Sequence, residues 1–395
     1  MKPQFSHAAH WNGAYDEAAL QKWAAGVRAE LASDHVALGL VFIAPKFFAE
    51  AEQILDILRL HARIPLLIGC SGKGVITDEN EIEDNPGISL TLCDLPGAQL
   101  SAFHFTQEQV EQSDGPETWQ KAAGVAAKEV NSWLVFADPF HLDIEKWLHQ
   151  FSVAFPGLPI LGGLSSGDMA EQRTQLYLNG DVFDEGGVVL AVAGDVRLVG
   201  VISQGCTPIG DTWTLTRVER NFIQGIANRP AYEVLAETFN ALPPDEQKKS
   251  RGNLFIGLAM NEYLEDFHRG DFLIRNLLGA DPNSGVVAVG ALPRAGQTIQ
   301  FQRRDPAAAG EDMRELLSRA QQQLIGQEIY GGCLCSCNGR GREFFGQPDH
   351  DAKLVQEILG PLGVGGFFCN GEFGPVGGKN FIHGFTASLA LFVKK

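Results

Sequence analysis

Apolar residues fall in short blocks along this chain, and the blocks alternate with helix-like stretches. LVFI (40–43) runs into a Pro-containing turn, then an amphipathic stretch, then PLLIGCSG (65–72), a second apolar block ending in Gly and Ser. The same order recurs from Leu134: LVFA, a Pro turn, IEKWLHQFSVAF, then PILGGLSS (159–166). Aligned without gaps, Leu40-Val41-Phe42 faces Leu134-Val135-Phe136, Pro45 faces Pro139, Pro65 faces Pro159, Gly69 faces Gly163 and Ser71 faces Ser165. Each segment reads as strand, turn, helix, strand, a βαβ-like unit.

A third, looser unit follows much later. GGCLCSC (331–337) supplies a strand, HDAKLVQEILGPL (350–362) a helix and GVGGFFCNGE (363–372) a second strand. With one inserted Phe, Cys369-Asn370-Gly371-Glu372 falls where Ser165-Ser166-Gly167-Asp168 lies in the second unit. The period is too long for a solenoid. The expected fold is α/β, in two domains, with duplicated βαβ-like units and mixed sheets. Strand carboxyl ends line ligand crevices in such folds, and here several of them end in Gly, Ser, Cys or Asn. The plain alternative is a set of ordinary tight turns.

Further strands are expected at 87–95, 186–194, 196–206, 253–260, 285–292, 297–304 and 384–393, with a helix at 312–325. LPPDEQKKSRGN (242–253) reads as a connector. The expected organisation is an N-terminal extension over 1–29, a first α/β domain over 30–230 and a second over 231–395.

Charge narrows the partners. Lys plus Arg number 31 and Asp plus Glu 48, a formal charge of −17. Such a surface repels phosphate backbones and anionic membranes, so neither nucleic acid nor membrane is an expected partner. The N-terminus lacks an apolar signal core, and no apolar run approaches the ~18 residues of a membrane helix. A cytoplasmic location with reduced thiols is expected for the seven cysteines.

The chemistry gathers near CLCSCNGRGREFF (333–345). Cys333, Cys335 and Cys337 share one strand face, a poor geometry for tetrahedral zinc. Cys333 and Cys335 read as core residues and Cys337, at the strand end, as a pocket wall. No metal or cofactor is expected. Asn338 offers donors and an acceptor, and Arg340 a planar fork that matches a carboxylate. Arg340 is either a ligand clamp or an internal partner of Glu343 or Glu372. Glu372 is either a ligand acceptor, opposing Arg340 in a zwitterion trap, or one end of an internal ion pair. Ser71, Ser165 and Ser166 raise a nucleophile reading, with Cys70 or Cys337 as thiol alternatives and His383 as base. The G-x-S-x-G elbow is absent, and His383 before a core strand also reads as structural. GKG (72–74) is not a Walker A loop.

Several of these stretches, in order along the chain, resemble the FIST family of bacterial sensory domains. The amino-terminal FIST half is suggested by PLLIGCSGKGVI, PILGGLSSGD and SQGCTPIGDTWTLT. The carboxyl-terminal half is suggested by FLIRNLLGADPNSGVVAVG, SCNGRGREFFG, GGFFCNGEFGP and FIHGFTASLALF. The resemblance implies a cytosolic sensor of small molecules such as amino acids, with a downstream signalling partner. It implies no catalytic chemistry. The expected ligand site is Cys70, Ser71, Ser165, Ser166, Cys337, Asn338, Arg340, Glu372 and His383, where strand ends from both domains converge. A Cys or Ser hydrolase or transferase, and a ligand-free interaction scaffold, are the competing readings.

Overall fold

The computed structural model describes residues 5–168 and 170–395; residues 1–4 of the expected N-terminal extension lie outside the described residues. It divides into two compact units, neither continuous in sequence. The first comprises Met1–Ile202, Met313–Ile382 and Thr386–Lys395, and the second Ser203–Asp312 with His383–Phe385.

Three six-stranded mixed sheets share one strand order in the first unit. The first runs Ser6–Trp11, Ile88–Cys93, Leu38–Ile43, Leu67–Ser71, then the hairpin Leu176–Leu178 and Asp181–Phe183. The second runs Ala98–Phe105, Gly187–Gly194, Val130–Ala137, Ile160–Leu164, then Glu372–Val376 and Lys379–His383. The third runs Val196–Gln204, Thr386–Lys394, Ile329–Cys337, Val364–Cys369, then Val75–Thr77 and Asn80–Ile82. In each, the third and fourth strands are the parallel pair of a βαβ unit. The looser third unit is therefore a full structural repeat.

The last two strands of every sheet come from a different repeat. The hairpin that follows Leu67–Ser71 in the chain joins the third sheet, that following Ile160–Leu164 joins the first, and that following Val364–Cys369 joins the second. The exchange is cyclic. Short apolar hairpins cannot stand alone, and here each completes a neighbour's sheet.

Parallel pairing also corrects the gapless alignment by one residue. Val41 faces Gly69, Val135 faces Gly162 and Leu334 faces Gly366. A Cβ at these glycines would lie 1.7, 2.0 and 1.9 Å from the carbonyl oxygen opposite, so glycine is required at this close approach. The equivalent strand positions are thus Ser71, Leu164 and Phe368, and Gly72, Ser165 and Cys369 stand one residue past them, so the alignment of Cys369 with Ser165 agrees with the structure.

Alternate strand residues point inward. Leu40, Phe42, Cys70, Leu134, Phe136, Cys333, Cys335, Phe367 and Cys369 pack into one core from all three sheets. Cys333 and Cys335 are core residues, as their strand position predicts. Phe42, Phe136 and Phe367, one from each repeat, meet with ring centroids 5.4, 4.9 and 5.8 Å apart. The outer faces are covered by amphipathic helices, including Ala51–His61, Ile144–Ala154 and His350–Leu359.

The second unit differs from the mixed sheet expected over its span. Cys206–Glu219, Thr298–Arg304, Leu254–Ala259, Phe272–Asp281, Val286–Val289 and Phe222–Ile226 pair in that order, and the last pairs back with the first. The result is a closed antiparallel barrel. Connections such as 282–285 are too short for a parallel crossover. Val234 and Leu235 of helix Ala231–Asn240 pack with the barrel's buried residues.

Phe367→Ala is expected to cost about 3–5 kcal/mol, because the void is shared by three repeats. Urea denaturation checks this; a loss under about 1 kcal/mol would show that the aromatic trio is not central to stability.

Candidate functional site

The parallel strand pairs end at one junction, where the three repeats are bonded to one another. Ser71 donates its N–H to the Gln175 carbonyl (2.8 Å), and its Oγ accepts from Gln175 N (3.0 Å). Ser166 N donates to the Ser71 carbonyl (3.1 Å). The Ser166 hydroxyl accepts from Lys73 N (2.8 Å) and donates to the Phe368 carbonyl, so one side chain of the second repeat joins the first and the third. Ser165 Oγ donates to the Ala137 carbonyl at the end of the adjacent strand (3.0 Å).

The third repeat continues the network. Asn370 donates its N–H to the Leu164 carbonyl (3.0 Å) and its Nδ2 to the Ser165 carbonyl (2.9 Å). Asn338 donates its N–H to the Cys369 carbonyl and its Nδ2 to Asn370 Oδ1, both at 2.9 Å. Ser71, Ser165 and Ser166 are buried, Asn370 is half-buried and Asn338 is exposed. The amide chain Asn338–Asn370–Ser165 thus leads from solvent to the buried serines.

The third repeat also buries two groups of ionisable side chains. Arg340 grips Asp351 with both arms of its fork, Nε to Oδ2 at 2.6 Å and Nη2 to Oδ1 at 2.9 Å. Both side chains are essentially inaccessible, at 0% and 1% exposure. His350 Nδ1 lies 3.0 Å from Asp351 Oδ1, and the Phe345 ring stacks on His350 at 3.6 Å. Burial opposes ionisation of Asp351, but Arg340 and His350 together hold its carboxyl below the usual range. Glu81 Oε1 accepts from Asp351 N and Ala352 N, both at 3.0 Å, and satisfies the start of helix His350–Leu359. Burial, and then the Asp351 charge, push Glu81 up to about 8.

Glu372 sits with two thiols. Cys369 Sγ lies 3.1 Å from its Oε1, Cys337 also bonds its carboxyl, and Thr386 N donates to Oε2 (3.3 Å). Burial pushes Glu372 up to about 8, which makes it a neutral acid at pH 7.

These placements revise several expectations. Ser71, Ser165, Ser166, Cys337, Asn338, Arg340 and Glu372 all belong to the first unit, and His383 belongs to the second. Arg340 is not an open clamp, because its fork already holds a carboxylate. The carboxylate its fork holds is Asp351, a residue the sequence reading did not name. With both arms of the Arg340 fork on Asp351 and the Glu372 carboxyl bonded to Cys369 and Thr386, the two do not face each other as an open zwitterion trap. Cys70 lies in the core with no exposure, so it packs rather than lines a wall. Among the described residues, no group of His, Cys, Asp and Glu is arranged to hold a metal.

Sequence reasoning missed Asp351, Glu81 and His350. One signal was available: Asp351 falls on the apolar stripe that Leu354 and Val355 share. A carboxylate on a buried helix face needs an internal partner.

Comparison with known proteins identifies the family. A FIST N domain matches residues 37–229 and a FIST C domain residues 231–375. The chain belongs to the FIST family, small-ligand sensory domains of signalling proteins. An uncharacterized Mycobacterium tuberculosis protein is 36% identical over 370 residues, 94% of each chain. An uncharacterized protein of Mycobacterium bovis is 35% identical over 366 residues, 93% of each. A structure described as "Cyanuric acid hydrolase: evolutionary innovation by structural concatenation" aligns over 99% of this chain and 98% of its own, at 10% identity and a TM-score of 0.33.

Glu81 and Glu372 impose a pH dependence. The unfolded chain releases these protons near the usual 4.5, but the folded chain keeps them to about 8. The unfolded state therefore binds fewer protons across that window, and stability falls as pH rises through it. Denaturation between about pH 5 and 8 should show this fall, and Glu372→Gln should make it shallower. An unchanged slope would mean that Glu372 ionises normally.

Proposed function

We propose that this chain is a cytosolic small-molecule sensor that takes an amino acid or small carboxylate at the three-repeat junction and is read by a separate signalling partner. The observation that carries the reading is the Asn338–Asn370–Ser165 chain, which reaches from solvent to bonds that hold three repeats together. Amides offer donors to a carboxylate and acceptors to an amine. Lys73 and Arg173, both exposed, follow the strand ends of the first two repeats and supply local positive charge on an acidic chain. A ligand that competes for the amide bonds favours one arrangement of the junction over another, which is the differential affinity a sensor needs.

The geometry supports a nucleophilic enzyme less well. Burial pushes the Cys70 and Cys369 thiols well up, away from the reactive thiolate. The Ser165 and Ser166 hydroxyls donate to backbone carbonyls rather than to a base. No described helix is long and apolar enough to cross a membrane.

A thermal-shift screen of amino acids and short carboxylic acids tests the sensor. A ligand at a hundredfold excess over its Kd should raise the melting temperature by about 2–4 °C. Asn338→Ala should lose that rise with its own melting temperature nearly unchanged. No shift from any compound would favour the scaffold reading. Rapid labelling of Cys70 or Cys337 by iodoacetamide in the native protein, blocked by a ligand, would favour the enzyme.

A further inference from the structure

A groove of about 550 Å³ opens between strand Ser6–Trp11 and helix Glu17–Glu30, ahead of the FIST N match and apart from the repeat junction. This volume is in the range of small-ligand sites. His7 and Trp11 line it from the strand, and Lys22, Trp23, Gly26 and Glu30 from the helix. The two indoles lie 5.8 Å apart with planes tilted by 52°, and they form an angled aromatic wall. Both are only partly buried, against the helix-covered core of the first sheet.

We propose that this groove is a second binding site, for a single-ring aromatic carboxylic acid whose ring lies against Trp11 and Trp23 and whose carboxylate pairs with Lys22. Two observations carry it besides the volume. The charges are separated along the helix: Lys22 precedes Trp23 at the aromatic end, and Glu30 lies at the other end beside His7. An aromatic anion therefore has one favourable orientation. Burial lowers the pKa of His7, which leaves Lys22 as the cation among these residues at neutral pH. The second observation is Gly26. It stands in mid-helix, where glycine costs about 1 kcal/mol against alanine, yet nothing lies within 4 Å of a Cβ built there. No neighbour requires the glycine, and its effect is to keep the groove floor open.

Tryptophan fluorescence of the full chain, titrated with phenylacetate and with neutral phenylacetamide, tests the proposal. Phenylacetate should perturb the emission saturably. Gly26→Leu fills the floor and should abolish that response while keeping the far-UV spectrum and an equal or higher melting temperature. Lys22→Gln should weaken phenylacetate about fivefold, the scale of one exposed ion pair, and leave phenylacetamide unchanged. Asn338→Ala, which tests the junction, should leave the titration as it is. The proposal is overturned if phenylacetate gives no saturable change, or if Gly26→Leu still responds. Equal weakening of both probes by Lys22→Gln, or loss of the response in Asn338→Ala, overturns it as well.

Discussion

The first unit depends on a closed exchange of hairpins. Each of the three repeats contributes four strands to its own sheet and gives the hairpin that precedes the last of them to another. No repeat can satisfy its sheet edge until a partner repeat has folded. The register must also be correct, since a one-residue slip would turn every inward side chain outward. The strand pairings span much of the sequence, as between Val75–Thr77 and Val364–Cys369. Such long-range closure makes the unit cooperative.

That closure explains why polar groups gather where the parallel strands end. Three chain reversals meet there, each with backbone donors and acceptors that a core cannot leave unpaired. Ser71, Ser165 and Ser166 satisfy them with short side chains that fit between backbones. Charge is handled differently. Arg340 and Asp351 are removed from water together, and the desolvation of such a pair offsets much of its Coulombic gain. Its bidentate geometry, with Glu81 at the adjacent helix start, fixes how helix His350–Leu359 meets hairpin Val75–Ile82.

Much of this was legible in the chain. The gapless match of Leu40–Phe42 with Leu134–Phe136 revealed two repeats, and both phenylalanines indeed meet at the core. The serine tips were legible because Gly and Ser close each apolar block. Their offset by one residue was not, because it is set by which glycine faces a carbonyl on the neighbouring strand, a contact invisible along one segment. Hairpin exchange was equally hidden: three-residue strands such as Val75–Thr77 carry too few positions to name a distant partner. Arg340 was recognised as a focus of binding chemistry but was given nearby glutamates as partners. Asp351 was passed over although it is nearer in sequence than Glu372, because it lies within a helix whose buried face was not recognised. The barrel was missed because isolated apolar strands look alike whether a sheet closes or stays open.

The three strand ends have diverged while their backbones stayed equivalent. One reads Ser71-Gly72-Lys73, the next Leu164-Ser165-Ser166, the last Phe368-Cys369-Asn370. Connectivity repeated three times therefore frames a junction whose corners are chemically unlike: one cationic, one hydroxylic, one an amide beside a thiol. The backbone symmetry of the junction is therefore not a chemical symmetry: a group placed at one corner would meet different side chains if it were turned by a third of a revolution.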